Sequence, residues 1–185
     1  MVYNDGMKRY GILKTFSLIA VAIVLALSVT AQTSSAATPM KKGSRIFTQY
    51  ESYRMVYRVT DSSKDNPEVA CIATYGFQQH IEVPAKIKVK GVKYKVTSIG
   101  KNAFRGYSPA TSITIGKNVT AIGDNAFKNC NNLELLKCPS RVLTSLGEGA
   151  LEGCDKLNLI ITKTDDVQEL FKSAAKAADL SLRVQ

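Results

Sequence analysis

The chain has 185 residues, 45% of them apolar, with 25 basic residues against 15 acidic and a formal net charge of +10. That is enough for one domain with its own core, and the composition excludes a chain disordered throughout. With one histidine, no tryptophan, and no G-x-S-x-G, Cys-x-x-Cys, H-E-x-x-H or phosphate-cradling glycine loop, the sequence offers no catalytic residue, no metal ligand and no cofactor site, and it is not expected to be an enzyme.

At the start of the chain Met7, Lys8 and Arg9, with Lys14 close behind, lead into the apolar run 16–29, which Thr30, Gln32, Thr33, Ser34 and Ser35 end abruptly. A spanning helix needs ~20 apolar residues, so residues 1–37 are expected to be a signal peptide rather than an anchor. Small residues precede two cuts, after Ala31 and after Ala37, and the pattern does not choose between them. The basic opening reads properly only from Met7, so the six residues before it look like an upstream start or a misassigned one. No cysteine precedes Cys71, so lipid attachment is not expected. Cleavage would remove Lys8, Arg9, Lys14 and Asp5, leaving 22 basic residues against 14 acidic and no stable membrane span. An exported basic chain favours anionic partners such as acidic glycans, and export excludes a genetic nucleic-acid role.

Residues 38–95 are expected to form an N-terminal β-hairpin and capping region. A small polar stretch, 38–43, opens it. Residues 54–60 (RMVYRVT) and 68–75 (EVACIATY) are rich in β-branched and aromatic types, and the 61–67 segment between them is turn chemistry, which predicts a hairpin. Asp61, Asp65 and Asn66 match no calcium loop and are read as turn residues. His80 has no nucleophile or ligand spacing beside it and reads as a partly buried residue at a strand end. After 81–83, strict alternation on both sides of Gly91 predicts a second hairpin. Its inner face would hold Ile87, Val89, Val92, Tyr94 and Val96, and its outer face Lys86, Lys88, Lys90, Lys93 and Lys95. That lysine face is a candidate polyanion site; the alternative is a solvated surface that discourages edge-to-edge association.

From Val96 the sequence repeats. V-T-x-I-G-x-x-A-F-x-x-Y-x-x-A-x-x-I-x-I, carried by Val96, Ile99, Gly100, Ala103, Phe104, Tyr107, Ala110, Ile113 and Ile115, returns 23 residues later at Val119, Ile122, Gly123, Ala126, Phe127, Cys130, Leu133, Leu136 and Cys138. A third copy, with Leu143, Leu146, Gly147, Ala150, Leu151, Cys154, Leu157 and Ile160, follows after 24, the extra residue falling in the 139–142 loop. A fixed period of this length predicts a solenoid over 96–162 in which each unit buries its apolar face against the next.

The middle copy, V-T-x-I-G-x-x-A-F-x-x-C-x-x-L, resembles the BspA-like leucine-rich repeats of bacterial surface and secreted proteins, and the strand 90–96 resembles the lead-in that precedes the first such repeat. The chain departs from that pattern at Tyr107, Ala110 and Leu151. The resemblance implies a mainly β, α+β fold: a short solenoid of about three repeats with an N-terminal hairpin cap. It also implies non-catalytic recognition of a protein or host-matrix ligand.

Residues 163–185 complete the reading. Val167, Leu170, Phe171, Ala174, Ala175 and Ala178 fall on one helical stripe after Asp165 and Asp166, and 180–184 suits a final strand, so this segment is expected to cover the last repeat. Cys130, Cys154 and Cys138 occupy repeat positions and read as small buried apolar residues. Free thiols are favoured over a Cys130–Cys154 bridge, although one strand spacing of ~4.8 Å does not exclude it. Asn118-Val119-Thr120 matches a glycosylation sequon but follows the repeat consensus. Between the inward residues of the repeat strands lie Ser112, Leu135 and Leu159 and, two residues on, Thr114, Lys137 and Ile161. These six are the candidate partner-binding positions, with Leu135, Leu159 and Ile161 as an exposed apolar patch unless the C-terminal helix lies over them.

Overall fold

The computed structural model describes residues 37–50 and 52–185. The signal-peptide reading therefore lies, but for Ala37, outside the described residues. Residues 37–185 form one compact unit made mostly of strands, with a single helix among the described residues.

The first three strands, β1 (Arg45–Gln49), β2 (Tyr53–Asp61) and β3 (Glu68–Gly76), make an antiparallel ribbon. The 54–60/68–75 hairpin is present, with irregularities in its register between Val56 and Tyr57 and between Val59 and Asp61. Strand β1 has no counterpart in the sequence reading. Of its five residues only Ile46 is fully buried, so its pattern carries little signal.

Short strands follow: β4 (His80–Glu82), β5 (Lys86–Val89), β6 (Val92–Ile99), β7 (Ser112–Thr114), β8 (Ala121–Ile122), β9 (Leu135–Lys137), β10 (Ser145–Leu146) and β11 (Leu159–Ile161). Helix α1 (Asp165–Ala177) and β12 (Arg183–Val184) end the chain. One sheet runs β1-β2-β3-β6-β8-β10, with β5 hairpinned onto β6; the other runs β4-β7-β9-β11-β12. All pairings in the second sheet are parallel, as are β3-β6, β6-β8 and β8-β10 in the first. Such stacking in register is what a repeating sequence imposes, because each copy lays the same residue types beside their equivalents.

Parallel stacking begins before Val96. Cys71 lies beside Ile99, which lies beside Ile122, and Ile81 lies beside Ile113, so part of the expected cap already belongs to the stack. At the other end Val184 lies beside Ile160. The sequence period hides the first rung because hairpin β5-β6 is inserted within it, stretching the interval from Ile81 to Ile113.

Between the sheets Cys71, Ile81, Ile99, Ala103, Phe104, Ile113, Ala126, Phe127, Leu133, Leu136, Leu151 and Ile160 form one continuous core. The turn segment of each repeat also bonds to the next: Phe104 N–H donates to Ala126 O at 2.8 Å and Phe127 N–H to Ala150 O at 3.0 Å. Its tight path needs left-handed backbone at two places per copy. Asn102, Asn125 and Gly149 fill one, and Gly106, Asn129 and Gly153 the other. Asparagine and glycine are the residues that tolerate this conformation. Asn118 donates its side-chain amide to Ala85 O at 2.9 Å, so the sequon asparagine is engaged in tying the lead-in hairpin to the stack.

Helix α1 buries Val167, Phe171 and Ala175 and packs against β10 and β12. Asp165 and Asp166 in its first turn and Lys176 in its last complement the helix dipole. No helix among the described residues is long and apolar enough to cross a membrane.

Candidate interaction surface

Because the repeat strands are stacked in register, every outward position becomes a row across the sheet. One row reads His80, Ser112, Leu135, Leu159, Arg183, and a second reads Glu82, Thr114, Lys137, Ile161. The six candidate positions thus lie on one face, and His80, Glu82 and Arg183 extend it. These three were not recognised from the sequence because β4 and β12 sit outside the three evident copies. Inward neighbours Ile81, Ile113, Leu136 and Ile160 are fully buried, which fixes the direction of the rows.

Leu135, Leu159 and Ile161 are half-buried rather than fully exposed. Rungs one strand spacing apart, ~4.8 Å, let each side chain cover the flanks of the next. Helix α1 packs at the end of the stack, on β10 and β12, not across β9. The rows therefore grade from polar (His80, Ser112, Glu82, Thr114) to apolar (Leu135, Leu159, Ile161), with Arg183 at the far end of the first and Lys137 between Thr114 and Ile161 in the second. His80 is exposed, not partly buried as expected, and its Nδ1 lies 2.8 Å from Ser112 Oγ. The difference follows from β4 being a rung, in which the residue preceding buried Ile81 must face outward.

The lysine hairpin is also formed. Ile87 faces Tyr94 and Val89 faces Val92, with Ile87, Val92 and Tyr94 buried. Lys86 lies directly opposite Lys95 and Lys88 opposite Lys93. Lys90 is not on this face but in the two-residue turn with Gly91, with φ of 48° and 83° respectively. That turn type needs positive φ at both positions, so the alternation across Gly91 is broken by the turn. Lys86, Lys88, Lys90 and Lys93 are exposed and Lys95 half-buried, and none makes a salt bridge among the described residues.

All four cysteines are free and buried. Cys130 donates its thiol to Phe104 O and Cys154 to Phe127 O, each at 3.1 Å, so each sulfur bonds back to the preceding repeat. Burial pushes the Cys71 thiol up to about 12 and Cys138 up to about 11. Cys130 is raised further by its neighbour Cys154 and by burial. Such thiols are protonated at neutral pH and act as packing groups. Among the described residues no group of three or more His, Cys, Asp or Glu is placed to hold a metal ion.

A core filled by repeat residues, with outward rows left over on a parallel sheet, defines a repeat solenoid of the leucine-rich type. The BspA type Leucine rich repeat region, in 6 copies, matches residues 71–181, more than half of the chain, and the chain belongs to this family. That match begins at Cys71, within the first parallel pairing, β3 with β6. The chain is similar to a leucine-rich repeat protein from Bacteroides capillosus (27% identity, 62% of this chain and 80% of that one, TM-score 0.53). It is also similar to a leucine-rich repeat protein from Bacteroides ovatus (26% identity, 66% of this chain and 28% of that one, TM-score 0.48). A leucine rich cell surface protein from Faecalibacterium prausnitzii matches at 23% identity over 65% of this chain and 37% of that one, TM-score 0.43. Among curated proteins nothing matches the chain.

Proposed function

We propose that this chain is an exported, non-catalytic recognition module that binds a protein or host-matrix ligand through the outer face of β4-β7-β9-β11-β12. The observation that carries this reading is the graded face, where Leu135 and Leu159 stand in register, with Ile161 two residues on from Leu159, outside a filled core and with helix α1 packed on β10 and β12. An apolar strip with a polar and charged rim is the usual anatomy of a protein-binding patch. Family membership supports a binding role, and the basic-then-apolar leader supports export, with cleavage after Ala31 or Ala37. In this reading the β1-β3 ribbon and helix α1 serve as the end caps of the stack.

The test is capture from envelope and host-matrix extracts by the wild-type protein beside the Leu135→Ser/Leu159→Ser double variant, with captured proteins identified by mass spectrometry. Partners retained by wild type and lost by the variant are expected; identical capture by both would refute the assignment of the face. The lysine hairpin supports a second reading, an acidic-glycan or other polyanion site, because like charges face each other at Lys86/Lys95 and Lys88/Lys93, and only Lys95 has a carboxylate residue, Glu68, as its lateral strand partner. Salt separates the two: capture by the apolar face changes little with ionic strength, whereas capture by the lysines weakens steeply.

A further inference from the structure

The outer face of the β1-β2-β3 ribbon carries a different surface, independent of the reading above. Three rows cross it in register: Gln49, Arg54 and Tyr75; Phe47, Val56 and Ala73; Arg45, Arg58 and Ala70. Over these rows lies an open cleft of about 560 Å³, to which Lys101 and Thr60 also contribute. Pockets of ~300–1,000 Å³ suit small ligands and oligomer segments rather than flat protein interfaces.

Its chemistry is one-sided. Arg45, Arg58 and Lys101 line the cleft and no carboxylate does. Arg45 and Arg58 lie directly opposite one another on neighbouring strands, a like-charge pairing that costs stability unless an anion sits between them. Neither arginine makes a salt bridge among the described residues; Lys101 alone reaches an acid, Asp124, at 3.6 Å across open solvent. Phe47 is 67% exposed and Tyr75 56%, an unusual display of two aromatic side chains on one short ribbon. The Thr60 hydroxyl is buried and has no hydrogen-bond partner. Among the described residues no element packs over this face.

We propose that this cleft binds an acidic oligosaccharide, its sugar rings packed on Phe47 and Tyr75 and its carboxylates held by Arg45 and Arg58. Guanidinium groups match carboxylates in a fork geometry, and aromatic rings offer apolar faces to the C–H faces of sugars. Phe47 and Tyr75 stand two strands apart and one row apart along them, ~12 Å in all, which is further than one sugar ring reaches, so the ligand is an oligomer. A simple anion would leave the aromatic pair unused, and a neutral sugar would leave the arginines facing each other.

The experiment is isothermal titration of the full chain with a galacturonic acid tetramer, with the neutral galactose tetramer and hexaglutamate as controls. Binding of the uronate is expected, with both controls weaker. The Arg45→Gln/Arg58→Gln variant should lose roughly tenfold or more in affinity, the scale of lost charge-assisted hydrogen bonds. Phe47→Ser and Tyr75→Ser should each weaken binding with unfolding midpoints near wild type, as their exposure implies. A Lys86→Gln/Lys88→Gln/Lys93→Gln variant should bind as wild type does. The proposal is overturned if the wild type ignores the uronate, if the lysine variant rather than the arginine variant loses it, or if hexaglutamate binds equally well and Phe47→Ser changes nothing. None of these outcomes touches the Leu135/Leu159 face, whose own variant tests it separately.

Discussion

Replacing Phe127 by alanine should cost ~3–5 kcal/mol of folding stability. Phe127 is 0% exposed and stacks on Phe104, ring centroids 5.4 Å apart and planes 20° from parallel, while Leu151 holds the equivalent buried position in the next repeat. Backbone bonds from Phe104 N–H to Ala126 O and from Phe127 N–H to Ala150 O hold the rungs at fixed spacing. The neighbours cannot slide in, so truncation leaves most of its cavity open. Loss of the ring pair alone accounts for ~0.5–1.5 kcal/mol of the total. Phe104 is 1% exposed, so Phe104→Ala should cost a similar amount rather than less, because the core on its N-terminal side is closed by the additional rung at Cys71 and Ile81. Phe77, 87% exposed, is the control, and its alanine variant should stay within ~0.5 kcal/mol of wild type. Urea denaturation followed by far-ultraviolet circular dichroism gives the three midpoints on one scale. A Phe127→Ala loss no larger than that of Phe77→Ala would refute the stacked-repeat core.

Leu135→Ser and Leu159→Ser should each cost ~1 kcal/mol, about half the value for a fully buried leucine, since both are half-buried; a combined loss above ~4 kcal/mol in the same denaturation assay would show them to be core residues. Alanine at Gly147 or Gly123 should destabilise by ~1–3 kcal/mol or more, because the new Cβ would meet the Asp124 backbone nitrogen in the first case and come within 2.6 Å of Lys101 N in the second; Gly100, with 3.2 Å to its nearest atoms, should tolerate alanine best. Stability should fall as pH rises from about 9 through about 11, because the unfolded Cys138 thiol ionises near ~8.5–9 while the folded one is held at about 11. Below the unfolded value both states are protonated and this contribution is fully present; midpoints measured from pH 7.5 to 10.5 should fall less steeply in Cys138→Val than in wild type. Intact mass of protein recovered from the envelope or medium should show cleavage after Ala31 or Ala37, and a species retaining residues 7–29 would identify an anchor instead.

The repeat itself was legible because it states the same requirement three times. Ile99, Ile122 and Leu146, or Phe104, Phe127 and Leu151, recur at fixed offsets only if each must meet its equivalent, and alternation then assigned Leu135 and Leu159 outward and Leu136 and Ile160 inward. The helix at Asp165–Ala177 was legible for a similar reason, a single apolar stripe. What the sequence could not decide depends on partners distant in the chain. Cys71 and Ile81 join the stack although hairpin β5-β6 breaks their period, and only their pairing with Ile99 and Ile113 reveals a rung. The same pairing turns His80 and Glu82 outward. Lys90 left its expected face because a two-residue turn demands left-handed backbone, a constraint alternation does not see. The arginine and aromatic face of the ribbon was invisible for the plainest reason: Arg45, Phe47, Arg58 and Tyr75 come from three strands, and only sheet register, set by Tyr57, Met55 and Cys71 burying themselves on the opposite side, brings them together.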